Sequence, residues 1–257
     1  MLIRALKAGT LKLEVHDTEA AAGEAAARAA VEAIRQANGT GELGIVFATG
    51  NSQLETLRTL TSMGDIPWPK ITGFHMDEYV GISDLHPASF RRYLRTKLTE
   101  RVPIGKFYEI NGSAADLVEV QREYSRLLSA VNPQICLLGI GENGHLAFND
   151  PHEANFSDPE VIRIVDLDVA CRQQQVNERW FETLADVPKQ AVTLTIPTLL
   201  RIPKLIVSVP GKRKAQSVRR TFDHPISTTC PSTVLRTHPD ATVYLDCESA
   251  AELAVSV

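Results

Sequence analysis

The sequence predicts a single α/β domain, residues 1–257, built on a mostly parallel sheet, and three observations carry that expectation. Apolar runs of strand length alternate with segments of helical periodicity along the whole chain. Several of these runs are apolar throughout rather than alternating, as strands covered on both faces are. No Pro/Gly/Ser-rich linker, repeat or low-complexity tract divides the chain.

Residues 2–6 and 11–15, with Gly9 between them, suit edge strands. Asp17 and Thr18 are good N-cap types, and the Ala-rich stretch through Ala37 predicts a long helix that Asn38-Gly39 would end. Residues 43–48, LGIVFA, predict a buried strand running into Thr49-Gly50-Asn51-Ser52. Leu54, Leu57 and Leu60 then recur at helical spacing, and Ser52 with Glu55 matches a capping box. Residues 71–76, ITGFHM, predict the next strand, which delivers Asp77-Glu78-Tyr79 at its carboxyl end. Phe90, Leu94 and Leu98 space as a helix face, with Arg91, Arg92 and Arg95 as its solvated side. Residues 113–131 predict an amphipathic helix leading into a buried strand at 135–138. Further strands are expected at 161–165, 191–195, 205–209 and 242–246, and Ala215, Val218 and Phe222 mark a helix. Residues 152–158 read as irregular, and the tail as a short helix or frayed end.

Composition narrows the function. A net charge of −4 argues against bulk attraction to nucleic acid or an anionic membrane. No apolar run approaches the thickness of a bilayer, and the first residues lack the pattern of a cleaved leader, so a soluble cytoplasmic protein is expected. Cys136, Cys171, Cys230 and Cys247 are scattered without metal-type spacing and read as reduced structural thiols, with no metal expected.

The chemistry concentrates in QICLLGIGENGHLAFNDP, residues 134–151. Its strand runs into Gly139, Gly141 and Gly144, and Glu142, Asn143 and His145 stand on the resulting turn, with Asp150 just before Pro151. A His, an amide and carboxylates at the carboxyl end of a buried strand occupy the place where open α/β sheets carry out chemistry. Asp77, at another strand end and beside apolar groups, suits a general base whose pKa is raised. The turn of Thr49, Gly50, Asn51 and Ser52, between strand and helix, suits a phosphate. Lys214, in PGKRK at the start of a helix, works against the helix dipole unless an anion sits there, which makes it a candidate phosphate clamp.

FHMDEYVG followed by HPASF, GIGENGHLAFNDP, the TGNS turn and PGKRKA occur together in an order that resembles the glucosamine-6-phosphate deaminase (isomerase) family, over about residues 43–220. That family shares a superfamily with 6-phosphogluconolactonases, which usually follow the Gly-His with a Thr-Ala-Ser type sequence rather than LAFNDP. The resemblance implies a three-layer Rossmann-like fold and conversion of glucosamine 6-phosphate and water to fructose 6-phosphate and ammonia, without a cofactor. It implies Asp77 as the base moving a proton from C2 to C1 and His145 as the ring-opening acid/base. Asn143 and Asp150 fall on the pair that orients His145, and many members have Asp and Glu at those places. Lys214 and the Thr49–Ser52 turn fall on the phosphate site, together with an arginine that is either Arg172 or Arg179. Galactosamine 6-phosphate is the alternative substrate, and a lactonase or a non-enzymatic phosphosugar sensor are the alternative functions. The expected partner is a small phosphosugar, and a homo-oligomer is compatible with the sequence.

Overall fold

The computed structural model describes residues 1–37 and 42–253, so the helix stop expected at Asn38-Gly39 lies outside the described residues. The chain opens with a hairpin of β1 (Leu2–Ala8) and β2 (Leu11–His16), followed by α1 (Glu19–Ala37), in which the Thr18 hydroxyl accepts from the Ala21 amide at 3.2 Å. Next come β3 (Leu43–Phe47), α2 (Leu54–Ser62), β4 (Ile71–His75) and β5 (Asp77–Tyr79). The helix α3 (Phe90–Leu94) continues into a π-helical turn at Arg95–Thr99, and β6 (Lys106–Tyr108), α4 (Leu117–Val131) and β7 (Ile135–Leu138) follow. The last third holds β8 (Ile162–Asp166), α5 (Val169–Asn177), β9 (Gln190–Leu194), α6 (Ile196–Leu200), β10 (Lys204–Val209), α7 (Ala215–Asp223) and β11 (Ala241–Asp246).

Eight strands form the main sheet in the order β1-β2-β11-β10-β7-β3-β4-β6, parallel throughout except for the β1–β2 hairpin. The uniformly apolar central strands divide their side chains by the period-two rule of a pleated strand. Ile45, Phe47, Ile135, Leu137 and Ile206 face a layer in which Ala26, Ala30, Ile34, Leu57, Leu60, Leu94 and Leu98 pack together. Val46, Cys136, Leu138, Leu205 and Val207 face Tyr124, Leu128, Leu199 and Val218 on the other side. Two covered faces explain why these runs show no polar alternation.

Several expectations change. β2 is no edge, since it lies between β1 and β11. β5, β9 and β8 form a separate antiparallel sheet of three strands that was not expected. α4 starts at Leu117 rather than 113, where Asp116 accepts from the Glu119 amide at 3.0 Å. The short β6, α5 and α6 were not anticipated; of the tail expected as a short helix or frayed end, residues 247–253 form turns and the rest lies outside the described residues.

The reading of Arg91 as solvated also fails. Arg91 is 5% exposed, and its Nε lies 3.3 Å from the fully buried carboxylate of Glu78. Its other nitrogens donate to Asn111 Oδ1 (3.0 Å) and the Ile82 carbonyl (2.8 Å). Glu78 also accepts from the Ser89 hydroxyl (2.8 Å) and from the amides of Tyr79, Phe90 and Arg91. The small sheet carries Glu78 inward beneath the start of α3, so a helix face that would otherwise meet water meets a buried anion instead. Burial pushes the Glu78 carboxyl up, and these donors work against that shift.

Candidate active site

From β3 the chain proceeds outward to β4 and β6, while β7, β10 and β11 extend the sheet the other way, which makes the β3/β7 boundary a topological switch point. A cleft opens there at the carboxyl ends of the strands, enclosing ≈ 610 Å³ with its mouth included.

The strands on either side of β7 end alike. After β3, Gly50 (φ 91°) turns into a 3-10 turn at Asn51–Gln53 ahead of α2; after β10, Gly211 (φ 92°) turns into Lys212–Lys214 ahead of α7. A Cβ at either glycine would meet nothing within 4 Å, so glycine is required there by the left-handed backbone and not by space. Gln53 Nε2 ties the first turn to the Leu138 carbonyl of β7 (3.2 Å), and the Tyr93 hydroxyl braces it at the Gly50 carbonyl (2.9 Å). The expected capping box does not form, because Ser52 lies inside the 3-10 turn and Glu55 pairs with Arg58. Among the described residues, the amides of Asn51 and Ser52 donate to no protein acceptor and remain available at the cleft. Thr49, Gly50, Asn51, Ser52 and Lys214 all line it. Lys214 is only 8% exposed; burial pulls its ammonium pKa down, while Glu178 and Glu142 act to keep it charged.

The loop after β7 builds the second part of the site. His145 Nδ1 lies 3.0 Å from Asp150 Oδ1, although the ring N–H is not aligned on that oxygen. Asp150 is held in turn by Asn143 Nδ2 (2.9 Å to Oδ1) and by the Asp168 amide (3.1 Å to Oδ2). Asn143 also donates to Asp168 Oδ2 (3.1 Å) and accepts from the His145 backbone amide (3.0 Å). Asn143 thus acts on the imidazole through Asp150 and through the loop backbone. Burial works to raise the Asp150 pKa, but His145, Asn143 and the Asp168 amide together outweigh it and hold the carboxyl below its ordinary 3.8. The shorter Asp side chain therefore reaches His145 directly, without a bridging water.

Gly141 lies flat against that imidazole. A Cβ placed there would stand 2.3 Å from His145 Nε2 and Cε1. Gly141→Ala is expected to push the ring off Asp150, which a shift of the His145 ring resonances relative to the parent would show.

Asp77 completes the cleft. At the end of β4 the chain leaves the main sheet through Met76 and enters β5, where Asp77 pairs in register with Thr193 of β9. The residue is 5% exposed, and among the described residues its Oδ1 has no hydrogen-bond partner. Burial, and then the charge of Glu78, push its pKa well above 3.8. His145, Asp77 and Lys214 line one cleft with Phe90 and Phe148.

The two arginines are placed elsewhere. Arg172 turns to the carbonyls of Leu184 and Val187, and Arg179 (φ 65°) lines an adjoining groove with His86, Trp180 and Phe181. The sequence reading missed Gln174, Gln175 and Glu178, which line the cleft from α5. Their polar repeat at helical spacing was a visible signal, and the missing assignment of α5 hid it. Two groups of possible metal ligands occur among the described residues, His145 with Asp150 and Cys171, and Asp150 with His152 and Asp168.

A doubly covered parallel sheet with a buried carboxylate, a carboxylate-backed histidine and a lysine at its switch point defines an α/β protein equipped for acid–base chemistry on a small anionic ligand. The chain belongs to the family of glucosamine-6-phosphate isomerases and 6-phosphogluconolactonases, whose pattern matches residues 16–244. It is 30% identical to a glucosamine-6-phosphate deaminase of Oenococcus oeni, over 95% of this chain and 99% of that protein. It is 34% identical to one of Exiguobacterium sibiricum, over 82% of each. A solved monomeric glucosamine-6-phosphate deaminase superposes with a TM-score of 0.85 at 30% identity, covering 93% of this chain and 99% of that one. A 6-phosphogluconolactonase of Trypanosoma brucei superposes at 0.77 with 21% identity, over 98% of this chain and 100% of the other, which shows the common fold.

Proposed function

We propose that this chain is a glucosamine-6-phosphate deaminase that converts glucosamine 6-phosphate and water to fructose 6-phosphate and ammonia. The observation that carries the reading is an unpaired buried carboxylate, Asp77, lining the same cleft as a histidine backed by Asp150. The names of the relatives agree with it. His145 passes a proton to the ring oxygen as the sugar opens, and anionic Asp150 behind it stabilises the imidazolium formed in the exchange. Asp77 takes the proton from C2 of the open aldehyde and returns it to C1, leaving an imine at C2 that adds water and releases ammonia. No step transfers electrons.

Lys214 and the amides of Asn51 and Ser52 hold the phosphate, so that its binding energy fixes the open chain against both acid–base groups. Arg179 is the better placed of the two arginines to join them, because Arg172 is already committed to two carbonyls. The partner is a phosphosugar, and the setting this reading implies is the cytoplasm; among the described residues no helix is long and apolar enough to cross a membrane.

Ammonia release and fructose 6-phosphate formation from glucosamine 6-phosphate, measured beside galactosamine 6-phosphate and 6-phosphogluconolactone, test the proposal. Turnover of the first is the expected result. Turnover of the galacto epimer alone would keep the mechanism and change the substrate, and hydrolysis of the lactone alone would overturn the reading.

A further inference from the structure

We propose that His145, Asp150 and Cys171 form a binding site for a thiophilic divalent cation of the zinc type, and that its occupancy switches the enzyme off. The donor atoms of these three buried side chains all lie within 4.8 Å of one another. Zinc holds nitrogen, oxygen and sulfur ligands at about 2.0–2.3 Å in a tetrahedron, which puts the donors about 3.3–3.8 Å apart. Side-chain shifts of about an ångström convert the one arrangement into the other.

Each donor is already carried on fixed backbone. The His145 ring lies against Gly141, Asp150 is held by Asn143 and by the Asp168 amide, and Cys171 stands in the first turn of α5 with its own amide bound to Asp168 Oδ1 at 2.5 Å. His145 Nδ1 is buried without an aligned partner, so a cation there replaces an imperfect contact. His145 also lines the cleft, which provides the route of entry and a water for the fourth position.

Cysteine decides the kind of cation. Carboxylate and imidazole alone would serve many metals, whereas a thiolate selects zinc and its soft neighbours over magnesium or calcium. Among the described residues Cys171 is the only cysteine within reach of such a group. Cys136 lies inside β7, and Cys230 faces the Ser232 hydroxyl. The competing set of Asp150, His152 and Asp168 shares one carboxylate but offers no sulfur, and its His152 is exposed. A cation on Nδ1 would occupy the nitrogen that Asp150 backs and neutralise the negative charge that stabilises the imidazolium, so the other ring nitrogen could no longer pick up a proton. That inhibitory consequence rests on the role of His145 proposed above; the binding does not.

The test titrates chelator-treated protein with zinc chloride by calorimetry and with cobalt(II) chloride by absorption, using the parent, Cys171→Ser and His152→Ala. The parent and His152→Ala are expected to bind one equivalent, to show a thiolate-to-cobalt charge-transfer band, and to lose turnover in proportion to zinc bound. Loss of an outer partner of a metal ligand alone costs about 10–100-fold in affinity, so removing the thiolate in Cys171→Ser is expected to weaken binding by more than about 100-fold. That variant should lose the band, keep its turnover and resist zinc. Equal zinc affinity in parent and Cys171→Ser, or binding lost only in His152→Ala, would overturn the site. Stoichiometric binding through Cys171 with undiminished turnover would overturn the inhibition. Because the cobalt band is read without substrate, the site stands or falls separately from the proposed deaminase activity.

Discussion

Replacing Asp77 with Asn is expected to lower kcat for glucosamine 6-phosphate by about 10³-fold, with KM changed far less, because a positioned base supplies about 10²–10⁴ of rate. Asn keeps the shape of the side chain and cannot accept the C2 proton. The same carboxylate is expected to govern the acid limb of the pH profile. As a base it works only when ionised, so kcat/KM should fall as pH falls through the Asp77 pKa, at a value above 3.8. The residual activity of Asp77→Asn should lack that limb. A kcat within tenfold of the parent would remove Asp77 from the mechanism.

The variant has a second, opposite effect. The pKa of Asp77 is raised on folding, so its contribution to stability is fully present below the unfolded value of 3.8 and is lost as pH rises through the folded value. At pH 8 the ionised, unpaired carboxylate opposes folding, and Asn does not. Asp77→Asn is therefore expected to melt higher than the parent at pH 8, with the difference closing as pH falls toward 3.8. Calorimetric melts at several pH values read this directly. The inactive variant being the more stable one would identify Asp77 as a group retained for chemistry at a cost to folding.

Arg91→Met is expected to destabilise the fold by about 3–5 kcal/mol, the usual consequence of stripping one partner from a buried ion pair. It leaves the fully buried Glu78 carboxylate without its counter-charge and the Ile82 carbonyl without its donor, while Asn111 Oδ1 keeps the Ser113 amide and hydroxyl. Adding Glu78→Gln should recover part of that loss, because a neutral amide needs no guanidinium, so the double variant should unfold at higher urea than Arg91→Met alone. A shift below about 1 kcal/mol for Arg91→Met would mean that the pair is wet and behaves as a surface bridge. Glu78 directly follows Asp77, so the same experiment asks how firmly the Asp77 backbone is anchored.

Much of this arrangement was legible in the chain. The loop 139–151, the strand-to-helix turns at 49–52 and 211–214, and Asp77 at a strand end were all visible, because glycine, buried apolar runs and helical spacing are local signals. The central strands of the main sheet, β3, β4, β7, β10 and β11, could be located for the same reason, since a strand covered on both faces needs an apolar run, whereas the half-exposed β6 gave no such signal. Arg91 was misread because a helix face was judged by its own charges, while the anion it meets comes from Glu78 in another element. The antiparallel sheet of β5, β9 and β8 was missed although β8 and β9 were located, because β5 is only three residues long and pairs with β9 across more than a hundred residues, which no local pattern records. Gln174, Gln175 and Glu178 reach the cleft because α5 packs beside it.

The sequence by itself determined which groups were available: a histidine on a glycine loop, carboxylates at strand ends, and a lysine and free amides at helix starts. Tertiary structure alone decided their state. Asp77 became a buried carboxylate with an unpaired oxygen when β5 joined β9, Asp150 became a depressed carboxylate through His145, Asn143 and the Asp168 amide, and Cys171 was brought beside His145 by α5. The reason is physical: residue type and spacing fix the chemistry a side chain can perform, whereas its protonation and partners depend on desolvation and on neighbours distant in sequence.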